Sequence, residues 1–226
     1  MLRKPYHGSV ISHQDVSGYP EDFRGEDNLK VFVIRHGKVD FSWSRSCTSG
    51  DFDKECKAYD TSPIRKENIR FPETKCQKIY VSTLSRSRET AKEIFGEKEF
   101  MESKLIHEVP LRSAFDTTEK LPLWFWNTAG RLQWFVNSKR QPEGRYQTRK
   151  RAKQFVKRLC IENEDCAIVT HGFYMHTLIK EMKRAGFTIE KNALHYKTGR
   201  QSFAENDWYK WIEENGTRCL NYVVAG

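Results

Sequence analysis

The stretch Val31-Phe32-Val33-Ile34-Arg35-His36-Gly37 decides the fold. Four β-favouring apolar residues in succession, with no polar alternation, describe a central strand covered on both faces. That strand delivers an arginine and a histidine into a glycine turn. Ligands of open α/β sheets sit outside the carboxyl ends of strands, so any active site is expected to begin at His36.

Working outward, two further stretches repeat the arrangement. Gln77-Lys78-Ile79-Tyr80-Val81 reads as a strand, and the run from Ser82 to Ala91 leads from it into a helix with Ala91, Ile94 and Phe95 on its apolar side, closed by Gly96. Cys166-Ala167-Ile168-Val169-Thr170 is a strand that ends in His171-Gly172, followed by a helix carrying Met175, Leu178, Ile179 and Met182 to about Gly186. Between them, Ala152, Phe155, Val156, Leu159 and Cys160 form one face of a helix from roughly Gly144 to Ile161. Lys104–His107 reads as a short strand running into Glu108-Val109-Pro110, Leu220–Val224 as an edge strand, and Asp207–Glu214 as a short helix. Strands alternating with helices predict an α/β fold around a sheet with helices on both faces.

The remaining stretches are less regular. Residues 1–28 read as an irregular arm outside a single domain spanning 29–226. From Lys38 to Pro72 the chain is polar with aromatics at intervals (Phe41, Trp43, Phe52, Tyr59), which predicts a loop with short helical pieces at a strand's carboxyl end, where sites are built. Leu121–Val136 is rich in aromatics and reads as a helix packed over the sheet, in preference to a cap over a pocket.

Composition narrows the class. With 226 residues, 38% hydrophobic and 31% charged, the chain has the material for a sizeable core beneath a charged surface, which excludes a disordered chain. No apolar run approaches bilayer length and no apolar signal core follows Met1, so a cytoplasmic location and no membrane partner are expected. Six scattered cysteines without a Cys-x-x-Cys pair read as reduced thiols, and no metal or cofactor is indicated. The net charge of +9 suits an anionic partner. Its lysines and arginines are spread along helices such as Arg145–Arg158 with no recognised reading module, so nucleic acid is not expected.

The three strand ends together carry chemistry. Arg35, Arg86 and the histidines His36 and His171 in one crevice make an anion site, because guanidinium forks match phosphate oxygens. A neutral imidazole is a nucleophile toward phosphorus, and neighbouring arginines favour that neutral form. His7, His13 and His195 lie in irregular stretches, and His176, a turn along its helix, is read as packing. His107 is expected to point away from Glu108.

Arg35-His36-Gly37, the Ser82-x-Leu84-x-Arg86-Ser87-x-x-Thr90-Ala91 run and Thr170-His171-Gly172, each after a strand and in this order, resemble the histidine phosphatase superfamily, the phosphoglycerate mutase-like proteins. The resemblance covers roughly Leu29–Gly186, is nearest to bacterial phosphatase members, and implies a three-layer α/β/α fold with a mostly parallel sheet. It implies a metal-independent phosphomonoesterase acting on a small phosphorylated substrate, with His36 as the phosphorylated nucleophile. Arg35, Arg86, His171 and Gly172 would form the phosphate pocket and Glu108 would be the proton donor, with Asp116 and Glu119 as fallbacks. Many members carry Thr or Asn shortly after Arg-His-Gly, where this chain has Lys38-Val39-Asp40, so Lys38, Ser42 and Trp43 become candidate lining residues. The alternatives are a phosphoglycerate-type mutase and a non-catalytic phospho-ligand-binding protein.

Overall fold

The computed structural model describes residues 29–66, 76–192 and 221–225. The expected N-terminal arm, the helix at Asp207–Glu214, and His7, His13 and His195 fall outside these residues.

The first element is β1 (Lys30–Arg35), then β2 (Ser46–Cys47), α1 (Ser49–Thr61), β3 (Lys78–Val81), α2 (Ser85–Phe95) and β4 (Met101–Glu102). After them come β5 (Leu121–Pro122), α3 (Leu123–Phe135), α4 (Arg145–Glu162), β6 (Cys166–Thr170), α5 (Gly172–Arg184), β7 (Thr188–Asn192) and β8 (Asn221–Ala225). The main sheet runs in the order β4-β3-β6-β1-β8-β7. The pairs β4–β3, β3–β6 and β6–β1 are parallel, while β8 is antiparallel to both β1 and β7.

The unbroken apolar runs are explained by two covered faces. Val31 and Val33 of β1, with Cys166 and Ile168 of β6, pack with Phe155, Val156 and Leu159 of α4 and with Leu178 and Met182 of α5. The intervening residues Ile34, Ala167 and Val169, with Ile79 and Val81 of β3, face the other side and pack on Ala91 of α2. Each such aliphatic side chain contributes about 1.5–3 kcal/mol on burial. The result is the expected α/β/α layering, with α4 and α5 on one face and α2 on the other.

Three expectations are corrected. Lys104–His107 is not a strand. Met101–Glu102 takes the pairing with β3, and Lys104–Ile106 is a 3-10 turn whose Ser103 hydroxyl accepts from the Leu105 amide at 3.3 Å. Ile106 is thereby buried, and side chains satisfy the turn's carbonyls: Arg151 Nη1 donates to Leu105 and His107, and the Thr170 hydroxyl to Ile106. The C-terminal strand is not at the edge; β8 lies between β1 and β7, and the more polar Thr188–Asn192 is the edge strand. The segment after Lys38 holds one full helix instead of short pieces: Thr48 caps α1 by accepting from the Asp51 amide.

A smaller core joins α1 to α3. Trp126 of the aromatic segment is fully buried, stacks on Phe52 at 5.8 Å between centroids, and donates from Nε1 to the Cys47 carbonyl at 3.0 Å. Trp124 and Phe135, on the outer side of α3, remain 57% and 53% exposed, so core packing describes only part of that helix. No helix among the described residues is long and apolar enough to cross a membrane.

Candidate active site

Strand register brings the first and third motifs together. Arg35 is the partner of Thr170, and one residue on, the His36 amide donates to the Thr170 carbonyl at 2.9 Å. His36 therefore lies beside His171, with ring centroids 4.9 Å apart. On the other side of β6, the Ser82 amide bonds the Val169 carbonyl, which carries the second motif to the same edge. Helices α2 and α5 both start there, so the positive ends of two helix dipoles face the cleft.

Hydrogen bonds assign the histidine tautomers. His36 Nδ1 is 2.7 Å from the Gly37 carbonyl, which can only accept, so the proton is on Nδ1 and the lone pair on Nε2. Burial, then the charges of Arg86 and Arg35, hold His36 well below the usual histidine range and keep it neutral. His171 Nδ1 accepts from Arg86 Nε at 3.3 Å, which leaves Nε2–H to donate to Ser82 at 2.5 Å and Ser87 at 3.2 Å. Burial, then His36 and Arg86, keep this ring neutral as well. Both nitrogens of His171, expected as a member of the phosphate pocket, are engaged by Arg86, Ser82 and Ser87.

The second motif holds the first in place. The Gly37 amide donates to Thr90 Oγ1 at 2.9 Å, and that hydroxyl donates to the Arg86 carbonyl at 2.7 Å. Arg86 is fully buried and bonds Asp60 through Nη1 at 3.0 Å. Arg35 lies against α5: a Cβ built on Gly172 would come 2.9 Å from its Nε and 3.1 Å from its Cζ. The glycine therefore makes room for the guanidinium.

Glu108 follows the 3-10 turn and reaches the start of α5. Its Oε1 accepts from the Val109 amide at 2.8 Å and the Tyr174 amide at 3.0 Å, leaving Oε2 outside this pair of bonds. Arg151 braces the loop by gripping Leu105 and His107, while its guanidinium lies 4.1 Å from the Tyr174 ring centroid. His107 turns to Glu143 at 3.9 Å, and His176 is half-buried within the fields of Lys180, Glu108 and Arg35. The fallback Asp116 is engaged with Arg140 and largely exposed, and Glu119 is exposed.

Of the other candidates, Lys38 is half-buried and its carbonyl accepts from the Arg65 amide at 2.7 Å. Ser42 is exposed, with no contact joining it to the histidines. The segment Lys38–Asp40 is paired with Pro63–Arg65 through the Val39–Ile64 bridge and the Asp40–Arg65 ion pair, which engages the Lys38 carbonyl and the Asp40 carboxylate away from the histidines. Sequence reasoning missed Asp60 and Arg131. Arg131 on α3 donates to the Val109 carbonyl at 3.1 Å, lies 3.7 Å from the Phe173 ring centroid and feels the Glu108 charge. The sequence signal for Asp60 was the spacing Phe52, Cys56, Tyr59, an apolar helical stripe that predicts α1 and places Asp60 on its last turn.

With two arginines, a neutral nucleophilic imidazole and two helix N-termini, the arrangement can hold a tetrahedral oxyanion and attack it. Several solved structures resemble the chain at low identity. A putative alpha-ribazole-5'-P phosphatase from Escherichia coli has 15% identity and a TM-score of 0.47, covering 68% of this chain and 79% of that one. The phosphoserine phosphatase of Entamoeba histolytica has 20% identity and a TM-score of 0.41, covering 69% and 80%. The phosphoglycerate mutase of Bacillus anthracis has 16% identity and a TM-score of 0.43, again covering 69% and 80%. A search of curated proteins gives no match. The model of the histidine phosphatase superfamily (branch 1) matches residues 31–196, well over half of the chain, and the protein therefore belongs to that superfamily.

Proposed function

We propose that the protein is a phosphatase that hydrolyses a small phosphomonoester through a phosphohistidine at His36. The observation that carries the reading is the Nδ1–Gly37 bond, which leaves Nε2 of His36 unprotonated within the field of Arg86 and Arg35. In the first step Nε2 attacks phosphorus, the P–N bond forms, the ester P–O bond breaks, and the leaving oxygen takes the proton of Glu108. Because Oε1 is bound to two amides, Oε2 is the atom that carries that proton. In the second step water attacks phosphorus, its proton goes to Glu108, and the P–N bond breaks to release inorganic phosphate and restore Nε2. Both arginines hold the non-bridging oxygens while their charge shifts. His171 acts behind them, orienting Arg86 and adding no charge beside the nucleophile.

The test is phosphate release from p-nitrophenyl phosphate in excess chelator by wild type and His36→Ala. Turnover by the wild type, an acid-labile phosphoenzyme and an inactive variant are expected. A fully active His36→Ala protein would sink the reading, and phosphoryl exchange with phosphoglycerate without net release would identify a mutase.

A further inference from the structure

The last turn of α1 brings a second residue to the cleft beside Asp60. The Tyr59 ring lies under Arg86, whose guanidinium carbon is 5.0 Å from its centroid. Phe41 at 5.8 Å and Trp43 at 5.2 Å hold its other sides. The adjacent Asp60–Arg86 ion pair ties this turn of the helix to the second motif. The aromatic ring is therefore fully accounted for by packing.

The hydroxyl is not. It hydrogen-bonds to none of the described residues. The only sealed side-chain polar atoms without a partner among those residues are Arg151 Nη2 and Tyr174 Oη, so the Tyr59 oxygen, which is not one of them, opens to solvent. The same oxygen feels the charges of Arg86, Arg35, Glu108 and Asp60, the side chains that converge on the cleft. A phenylalanine would satisfy every contact the ring makes. A hydroxyl without a hydrogen-bond partner among the described residues, open to solvent, on a ring packed by Phe41 and Trp43 beneath the Arg86 guanidinium, is a donor placed beside the group that would hold an anion.

We propose that the Tyr59 hydroxyl touches the substrate, donating a hydrogen bond to a non-bridging phosphoryl oxygen held by Arg35 and Arg86. It supplies the short polar contact that Lys38-Val39-Asp40, engaged with Pro63–Arg65, does not make. Burial holds the phenol above its ordinary range, against the opposing pull of the two arginines, so it remains a protonated donor at neutral pH. The inference rests on the proposed binding of a phosphoryl group in this cleft, but not on its turnover.

Tyr59→Phe removes the hydroxyl and keeps the ring. Binding of inorganic phosphate by calorimetry and hydrolysis of p-nitrophenyl phosphate are measured for wild type and variant, with melting temperature as the fold control. The expected result is phosphate affinity and kcat/KM both reduced about tenfold, the loss of one hydrogen bond to a charged group, at an unchanged melting temperature. A purely structural tyrosine would lower the melting temperature and leave phosphate affinity intact, which overturns the proposal. Equal phosphate affinity in the two folded proteins overturns it too, as does a wild type that binds no phosphate. If the wild type binds phosphate without turning over ester, the phosphatase reading fails alone, and the affinity difference still decides the role of Tyr59.

Discussion

Gly172→Ala separates the placement of Arg35 from the stability of the fold. The added Cβ would meet Arg35 Nε at 2.9 Å, Cζ at 3.1 Å and Cδ at 3.4 Å. Non-bonded heavy atoms settle at roughly 3.5–4.0 Å, so the guanidinium must move away from α5 by about 0.5–1 Å. Misplacement by about 1 Å costs on the order of 100-fold in rate, or about 2.7 kcal/mol of barrier. The backbone offers no objection to alanine, because Gly172 does not share the positive φ of Gly96 and Gly186, the glycines with that conformation among the described residues. Alanine is also favoured over glycine in helices by up to about 1 kcal/mol, which offsets part of the local crowding. Activity and stability should thus part company: kcat/KM for p-nitrophenyl phosphate falls about 100-fold while the melting temperature holds. A Gly172→Ala enzyme with wild-type kcat/KM would refute the idea that Arg35 works only where the glycine admits it.

Glu108→Gln should slow hydrolysis of an alkyl phosphate by about 10²–10⁴-fold and spare p-nitrophenyl phosphate, whose leaving group needs little protonation; equal losses on both would remove the proton-donor role. Thr90→Val leaves the Gly37 amide without its acceptor and should lower stability by about 1–3 kcal/mol, read from urea unfolding. His36 and His171 are held well below the usual 6.5, so just under that pH the unfolded chain binds more protons than the folded one. Stability should therefore decline as pH falls through about 6.5, and a urea midpoint that is the same at pH 7.5 and 5.5 would contradict this. Glu162, which falls from 4.5 to about 2 on folding, affects only the range below 4.5, so it does not confuse the comparison. Trp126→Ala should cost about 3–5 kcal/mol, with a lower calorimetric melting temperature.

The parts of the fold legible in the sequence are those whose burial is written into consecutive residues. β1, β3 and β6 are covered on both faces, so nearly every residue is apolar, while α2, α4 and α5 each bury one stripe at helical spacing. The 3-10 turn at Lys104–Ile106 defeats this reasoning because two apolar residues in a row suit a strand and a buried turn equally. What decided it was Arg151, a residue far along the chain that takes the carbonyls a ladder would have used. β7 was illegible because Thr-Ile-Glu-Lys-Asn carries no periodic signal, and its pairing comes from β8 across a long separation. Helix α1 had a readable signature in Thr48-x-x-Asp51 followed by Phe52, Cys56 and Tyr59, hidden among the polar residues of its exposed side.

For the site, motif residues were legible because each lies within a few places of a strand end, where the topology leaves little choice of position. Asp60, which answers one of their charges, and Arg131, which adds another, come from α1 and α3, whose approach to the cleft is set by the packing of Trp126 on Phe52 and by no local pattern. Their contribution changes the electrostatic account of the proposed reaction. Arg35, Arg86 and Arg131 bring three positive charges, and Asp60 answers one of them. With both histidines neutral, the three arginines and Asp60 leave an excess of two positive charges on this side of the cleft. That excess equals the charge of a phosphomonoester dianion. A protonated histidine would overshoot it, so the burial that keeps both rings neutral also keeps this balance. Asp60, bonded to Arg86 from the exposed end of α1, sets that balance without touching phosphorus.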